Sequence, residues 1–174
     1  MSRSPTPKRG ASSGGTPATI ALERAGVEFR VHTFDNDVAP GEIGFGKAAA
    51  AALGVIEERV FKTLLVETTG AVRHAVGIVP VSGQLSLKAM AVAVGAKRVD
   101  MLDPRSAERL TGYVVGGISP FGQKKPLTTV VDVSALDHDT IFVSGGKCLP
   151  NCSEFCFFQA CGSLQQDSHL ENRC

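Results

Sequence analysis

The stretch KTLLVETTGAVRHAVGIV, residues 62–79, decides the fold class. It contains two runs rich in β-branched and apolar residues, 62–67 and 72–79, on either side of the turn-forming pair Thr69-Gly70. Runs of this composition that flank a glycine-containing turn are typical of antiparallel strands. We therefore predict that the two runs pair as a β-hairpin.

Helices are predicted on both sides of this hairpin from capping residues and apolar spacing. Thr16 offers a capping hydroxyl before Pro17, a residue favoured at the first helical position. A glycine stands at the end of the first predicted helix and directly after each of the next two, where a helix commonly ends, and Asp103 precedes the last helix as a cap. The four predicted helices cover residues 17–26, 47–53, 85–94 and 104–110.

Short runs of alternating or β-branched residues predict further strands. These runs cover residues 27–31, 113–115, 129–132 and 140–143. The strands do not alternate regularly with long helices, which argues against a doubly wound parallel sheet. We predict an α+β domain in which helices flank a mixed sheet or a partly closed barrel.

The composition is that of one globular domain with a modest core. The chain has 174 residues, of which 43 % are hydrophobic, and a formal net charge of +1. That charge excludes binding of nucleic acid through overall basicity alone. No apolar run has the roughly 18 residues of a membrane span, and no secretory signal opens the sequence. We expect no membrane contact and a cytoplasmic location.

Composition changes near both ends of the sequence. Residues 1–15 are rich in Ser, Pro, Gly and basic groups, which predicts a disordered tail. All five cysteines lie within 148–174, where Cys148 begins a C-x3-C-x3-C spacing unlike those of zinc ribbons or common iron–sulfur motifs. We expect an unstructured cysteine-rich end, a folded domain over 16–147, and neither a metal nor a cofactor.

Three segments could carry chemistry, and each has a structural alternative. Lys62 either brings a positive charge to the edge of an uncharged pocket or, as is commoner for a strand lysine, extends into water. The Gly116-Gly117 pair either binds a ligand through backbone amides or only permits a tight turn. For Ser144-Gly145-Gly146 a simple β-turn is somewhat favoured.

Taken together, several motifs resemble, in order, the pattern of the bacterial YbaK family of tRNA-editing proteins. The most specific are the lysine of VFKTLLVE (60–67), the segment TGYVVGGISPFGQKK (111–125) and the late IFVSGGK (141–147). The pattern also includes TPATIALERAGVEFRVHTF (16–34) and IVPVSGQLSLKAMAVAVGAKRVDMLDP (78–104). The resemblance implies a mixed-sheet pseudo-barrel flanked by helices.

The resemblance also implies a hydrolase that cleaves the ester between a mischarged amino acid and tRNA. The expected substrate is Cys-tRNA(Pro), and prolyl-tRNA synthetase is the expected transient partner. Synthetases discriminate poorly between side chains of similar size, which is why such errors need correction. Two alternatives remain open, namely an Ala-tRNA(Pro) deacylase and an inactive module that binds tRNA or synthetase.

Residue by residue, the resemblance implies that Lys62 is the essential lysine, which positions substrate or stabilises charge. The motifs contain no evident protein nucleophile, so the substrate's own thiol is expected to attack its ester, a lyase-like release. The implied substrate-binding residues are Phe34, Thr63, Gly116, Gly117, Ile118, Ser119, Pro120, Ser144, Gly145 and Gly146.

The chain departs from the family pattern at two places. Phe34 stands where family members often carry Tyr, so a hydroxyl group is missing. After SGGK the family usually continues with Arg-Gly and an acidic, aliphatic segment, whereas Cys148 begins unrelated sequence here. We hypothesise that a changed reading frame or gene end produced residues 148–174, with loss of the family's last structural segment and its acidic pocket residue.

Overall fold

The computed structural model describes residues 15–35, 44–147 and 154–161. Four α-helices and seven strands lie within these ranges. In chain order they are α1 Pro17–Arg24, β1 Phe29–Asp35, α2 Phe45–Leu53, β2 Val60–Thr68, β3 His74–Pro80, α3 Leu87–Ala93, β4 Val99–Met101, α4 Pro104–Thr111, β5 Thr128–Val131, β6 Thr140–Lys147 and β7 Glu154–Cys161. Short 3₁₀ helices occupy Glu57–Arg59 and Val133–Asp137.

All seven strands form one mixed sheet in the order β1-β7-β6-β2-β3-β5, and β4 also pairs with β2. The predicted hairpin is present: β2 and β3 are antiparallel, with Lys62 opposite Val79 and Glu67 opposite His74. By contrast, β6 runs parallel to β2, and β5 runs parallel to β3. The predicted α+β class with a mixed sheet is therefore confirmed.

The two faces of the sheet bury different cores because successive side chains of a strand alternate between faces. In β2, Phe61 and Leu65 belong to the largest cluster, which α1 and α4 also cover. Partly buried residues of β1 and of β5, the two ends of the strand order, pack against this same cluster. The sheet thus curls around one core, which is the packing of a partly closed barrel.

The opposite face of the sheet is covered in two places. Val60 packs in a cluster with α2 residues, and Val66 packs in another with Met90 of α3. Lys62 and Leu64 lie between them in sequence on the same side of β2. This face therefore has an apolar cluster on either side of the lysine.

Local sequence signals set the start of α1, the end of α2 and the start of α4 as predicted. The Oγ1 atom of Thr16 accepts a hydrogen bond from the Thr19 N–H at 3.3 Å, and Pro17 opens α1. The Asp103 carboxylate accepts from the Ser106 N–H at 3.0 Å at the start of α4. Gly54 follows α2 with a φ of +65°, a left-handed conformation that glycine adopts without strain.

The predicted strand at 113–115 is wrong. These residues form a turn, in which Gly117 N–H donates to the Val114 carbonyl at 3.0 Å and Val115 N–H donates to a Glu108 carboxylate oxygen at 2.9 Å. The β-branched composition favoured a strand, but these local bonds occupy backbone groups that a ladder would need. Sequence reasoning also missed β4, which has only three residues.

The expectation of an unstructured end is wrong for Glu154–Cys161. This segment, β7, lies between β1 and β6 and is antiparallel to both. The backbone of Phe158 is opposite Val31 on one side and Val143 on the other. An added strand satisfies backbone groups along two neighbouring edges, and the sheet consequently continues beyond the predicted domain boundary at residue 147.

Several predictions about the remaining sequence lie outside the described residues. These concern positions 1–14, 148–153 and 162–174, including most of the proposed tail and the first two cysteines. The origin of the cysteine-rich segment stays a hypothesis. Within the described ranges, no helix has both the length and the apolar character needed to cross a membrane.

Candidate active site

A cavity of about 410 Å³ opens beside the centre of β2. This volume lies within the range typical of small-ligand sites. Its walls come from the start of α2, the middle of β2, the end of β4, α4 and the turn that follows α4. The lining residues are Gly44, Phe45, Gly46, Lys47, Phe61, Lys62, Thr63, Leu64, Leu65, Val81, Met101, Leu102, Pro104, Ala107, Val115, Gly116, Ile118 and Ser144.

The cavity lies at a break in the β-ladder. On one edge of β2, pairing with β6 covers Val60 and Phe61, whereas pairing with β4 begins only at Val66. The Leu65 carbonyl on this edge accepts from the Leu102 N–H at 3.0 Å. Because backbone groups alternate between the two edges of a strand, those of Thr63 are directed into the same gap. The divergence of β4 and β6 thus creates the site.

Lys62 lies half-buried on the wall of this cavity. Its Nζ atom donates a hydrogen bond to the Gly83 carbonyl oxygen at 2.6 Å. Burial, and secondarily the charge of nearby Lys47, lowers the pKa of the Lys62 ammonium. Of the two positions considered from sequence, the structure shows the one at a pocket edge. Its chemical role stays a prediction.

Thr63 presents a polar atom without a protein partner. The residue is only 9 % exposed, and its Oγ1 atom makes no hydrogen bond with the described part of the chain. An unpaired buried hydroxyl costs roughly 1–3 kcal/mol of desolvation. Because Thr63 lines the cavity, a bound molecule could supply the missing partner.

Gly116 brings two segments of the cavity wall, the turn after α4 and the start of α2, into contact. Its φ is +89°, and a Cβ atom at this position would lie 2.6 Å from the Phe45 ring. Both the left-handed backbone and the close aromatic contact require glycine here. The loop that carries Gly116 and Ile118 therefore approaches the first residue of α2, and both loop residues line the cavity.

Other predicted site residues are not among the residues that line the cavity. Ser119 is fully buried, and its Oγ atom accepts from the Phe121 N–H at 3.2 Å. Gly146 has a φ of +84°, and a Cβ atom there would lie 2.6 Å from the Tyr113 ring. Gly117, Pro120 and Gly145 are likewise absent from the lining. The backbone of Phe34 belongs to β1, and its side chain lies outside the described structure.

Thirteen of the eighteen lining residues were not among the predicted site residues, and these thirteen include Phe45, Lys47, Met101 and Val115. The predicted start of α2 was two residues late, which left Phe45 outside the helix. One signal was available for Lys47: a cation in a first helical turn opposes the helix dipole, so its position calls for a reason other than helix stability. Met101 and Val115 gave no such signal.

Almost all of the residues that line the cavity lie in a segment that matches a known domain family. The family description "Aminoacyl-tRNA editing domain" matches residues 46–148, more than half of the chain. The chain belongs to the aminoacyl-tRNA editing domain family. The resemblance inferred from the motifs is thereby confirmed, and of the lining residues only Gly44 and Phe45 precede the matched segment.

Two sequence relatives of this editing domain carry deacylase names. One, EbsC from Enterococcus faecalis, is named for a proposed Cys-tRNA(Pro)/Cys-tRNA(Cys) deacylase activity and is 40 % identical over 103 residues, 58 % of this chain and 61 % of the relative. The other, from Escherichia coli, is the multifunctional Ser/Thr-tRNA deacylase ProXp-y, 28 % identical over 113 residues, 64 % of each chain. The editing domain thus aligns with less than two thirds of either relative.

A solved structure shares the fold of this editing domain. Its subject is described as a proposed trans-editing enzyme for prolyl-tRNA synthetase, with a TM-score of 0.65 and 22 % sequence identity. The match covers 83 % of this chain and 84 % of that one. At this identity the likeness establishes the fold alone.

The editing domain's cavity favours binding and charge stabilisation over nucleophilic catalysis. Thr63 and Ser144 supply hydroxyl groups, but in the described part of the chain no His, Asp or Glu lines the cavity to activate them. The Ser144 Oγ atom instead accepts from the Gly146 N–H at 3.3 Å. Within the described ranges, no three His, Cys, Asp or Glu residues cluster as metal ligands would.

Proposed function

We propose that this editing domain hydrolyses the ester bond of a mischarged aminoacyl-tRNA, and that Cys-tRNA(Pro) is the substrate. The observation that carries the proposal is the half-buried Lys62 ammonium at the wall of a small cavity, which has no carboxylate among the described residues of its lining. Such a group suits a substrate on which negative charge develops during reaction. The names of the two sequence relatives support this class of reaction.

Lys62 acts on the ester as a positioning and charge-stabilising group. An ammonium has three hydrogen-bond donors, and one of them is used by the Gly83 carbonyl. The remaining donors can contact the ester oxygen as the carbonyl carbon becomes tetrahedral. Stabilisation that grows in the transition state accelerates the chemical step.

The nucleophile comes from the substrate in this proposal. The cysteine sulfur forms a bond to the ester carbonyl carbon, the bond from that carbon to the ribose oxygen breaks, and the ribose oxygen takes the thiol proton. Water then opens the resulting thiolactone to free cysteine. A cavity that holds the thiol near the carbonyl supplies acceleration through proximity. Substrates without a thiol would lack this route.

The decisive experiment compares hydrolysis of Cys-, Ala-, Ser- and Pro-tRNA(Pro) by the unaltered protein and by Lys62→Ala. Lys88→Ala is the matched control, because Lys88 is an exposed lysine on α3 that does not line the cavity. We expect hydrolysis of Cys-tRNA(Pro) that requires Lys62 and not Lys88. Preferential hydrolysis of Ala-tRNA(Pro) would show that the domain is an Ala-tRNA(Pro) deacylase. If no aminoacyl-tRNA is hydrolysed, the domain is an inactive module that binds tRNA or synthetase.

Prolyl-tRNA synthetase is the proposed partner and the cytoplasm the proposed location. With a formal net charge of +1, the domain has little nonspecific electrostatic attraction for tRNA. Recruitment by a synthetase would supply the local substrate concentration that charge does not. Co-sedimentation of the purified domain with the synthetase, with and without tRNA(Pro), tests this. Absence of a complex under both conditions would contradict it.

A further inference from the structure

Lys47 is a second cation in the cavity wall, and no step of the proposed reaction uses it. It is the third residue of α2, and its Nζ atom lies 3.2 Å from the Glu57 Oε2 atom. The two side chains are 49 % and 39 % exposed. A half-exposed ion pair contributes little to stability, so its partners can be exchanged.

The position of Lys47 is unfavourable for the helix itself. The first turn of α2 contains no acidic residue, and its N-cap, Gly44, provides no side-chain hydrogen bond. The N-terminus of a helix carries partial positive charge, which an anion stabilises and a lysine does not. A residue that breaks this rule beside a cavity is a candidate for a functional role.

The cavity as a whole is suited to an anion. Lys47 and Lys62 are the charged residues among the described residues that line it, and their mutual repulsion contributes to the lowered pKa of Lys62. Thr63 lines the same cavity, and its hydroxyl is buried without a hydrogen-bond partner in the described part of the chain. An anionic group between the two lysines would relieve their repulsion.

We propose that Lys47 is a positioning residue that leaves Glu57 and binds the phosphate on the 5′ side of the substrate's terminal nucleoside. This inference rests on the proposed function, because it takes the ligand to be the aminoacylated end of a tRNA. The amino acid of that ligand carries an ammonium group, which two lysines repel. The phosphate is the nearest group of opposite charge.

The kinetic test uses Lys47→Met, Lys47→Arg and Glu57→Gln, with Lys88→Met as control. For Lys47→Met we expect KM for aminoacyl-tRNA to rise about tenfold with little change in kcat, because one charge-assisted contact is lost. The slope of log KM against log salt concentration should fall by about 0.7, the value for one single-strand phosphate contact. Lys47→Arg should retain both the KM and the salt slope of the unaltered protein.

Glu57→Gln separates this role from a structural one. Because Lys47 is then released from its partner, KM should stay the same or fall. If Glu57→Gln instead raises KM as much as Lys47→Met does, the ion pair matters only for structure and the proposal is overturned. An unchanged salt slope in Lys47→Met overturns it as well.

A binding experiment tests the anion site without hydrolysis. Adenosine 5′-monophosphate and adenosine are titrated separately, and the amide resonances of Gly46 and Thr63 are followed by NMR. The unaltered protein and Lys88→Met should bind the monophosphate more tightly, whereas Lys47→Met should lose that preference. Equal binding by the unaltered protein, or a preference that persists in Lys47→Met, overturns the proposal.

The two experiments distinguish this inference from the proposed function. A Lys47-dependent preference for the monophosphate without hydrolysis of any aminoacyl-tRNA would support the anion site and reject the deacylase. Hydrolysis in Lys47→Met with the original KM and salt slope would support the deacylase and reject the role of Lys47.

Discussion

The Nζ atom of Lys62 donates a hydrogen bond to the backbone carbonyl of Gly83 at a distance of 2.6 Å. Lys62 belongs to β2, and Gly83 lies in the turn after β3, so the bond links a strand to the loop at the end of its hairpin partner. It restrains a flexible side chain that would otherwise lose more rotamer freedom when substrate binds. The lysine is therefore held at the cavity before any ligand arrives.

We expect Lys62→Ala to reduce kcat for Cys-tRNA(Pro) by about 10²–10³, the cost of removing one group that stabilises transition-state charge. Single-turnover hydrolysis of labelled aminoacyl-tRNA measures this. The thermal unfolding midpoint should change little, because Lys62 is half-buried and forms no ion pair among those found in the described chain. A variant that retains at least half of the parental rate would refute the assigned role.

The pH dependence follows from the lowered pKa of Lys62, which burial causes first and Lys47 second. The ammonium loses its proton at a lower pH than an ordinary lysine, whose pKa is 10.5. Activity, corrected for spontaneous ester hydrolysis, should therefore decline with rising pH before that value is reached. Lys47→Met should shift the decline upward, as ¹³C NMR of the lysine Cε resonances can confirm. If activity declines at the same pH in Lys47→Met as in the unaltered protein, Lys47 does not lower the pKa of Lys62.

The same shift has a defined sign for stability. Between the two pKa values the unfolded chain holds a proton that folded Lys62 has lost, so the free energy of unfolding contributed by this group rises with pH. Below the folded-state pKa the group is charged in both states and opposes folding. Lys62→Met should remove this dependence from chemical denaturation measured at several alkaline pH values. An identical dependence in both proteins would rule out Lys62 as its source.

Gly116→Ala should destabilise the fold by about 2–4 kcal/mol, through strain at a positive φ and overpacking against the Phe45 ring. Gly26→Ala is the matched control: its φ is +67°, but nothing lies within 4 Å of an added Cβ atom. It should cost only the backbone strain, about 1–2 kcal/mol. Urea denaturation measures both, and equal losses would show that the contact with Phe45 is unimportant.

Thr63→Val should leave the free energy of unfolding unchanged or raise it slightly, because the buried hydroxyl has no described partner. If substrate uses that hydroxyl, KM should rise in the same variant. Thr111→Val is the control, because the Thr111 Oγ1 atom donates a hydrogen bond to the Ala107 carbonyl at 2.8 Å. Loss of this bond should lower the free energy of unfolding by about 1 kcal/mol. A large loss of stability in Thr63→Val would reveal a structural role instead.

Much of the fold could be predicted because it depends on local chemistry. The side chains of Thr16 and Asp103 cap their helices by accepting hydrogen bonds from backbone N–H groups three residues later, and Gly54 ends α2 in a conformation that few other residues adopt. The β2–β3 hairpin needs only a short turn between two strand-forming runs. The order of the motifs along the chain also identified the family, because that order can be read from the sequence alone.

Contacts between distant segments decided the rest. Val114 and Val115 have strand composition but lie in a turn held by Glu108, and β7 pairs with β1, more than a hundred residues earlier. The cavity exists because β4 and β6 leave β2 at different points, which no local pattern encodes. The sequence by itself identified Lys62 as the candidate essential lysine. Only the tertiary structure brought Lys47 beside it, because the mutual effect of two charges depends on their separation in space.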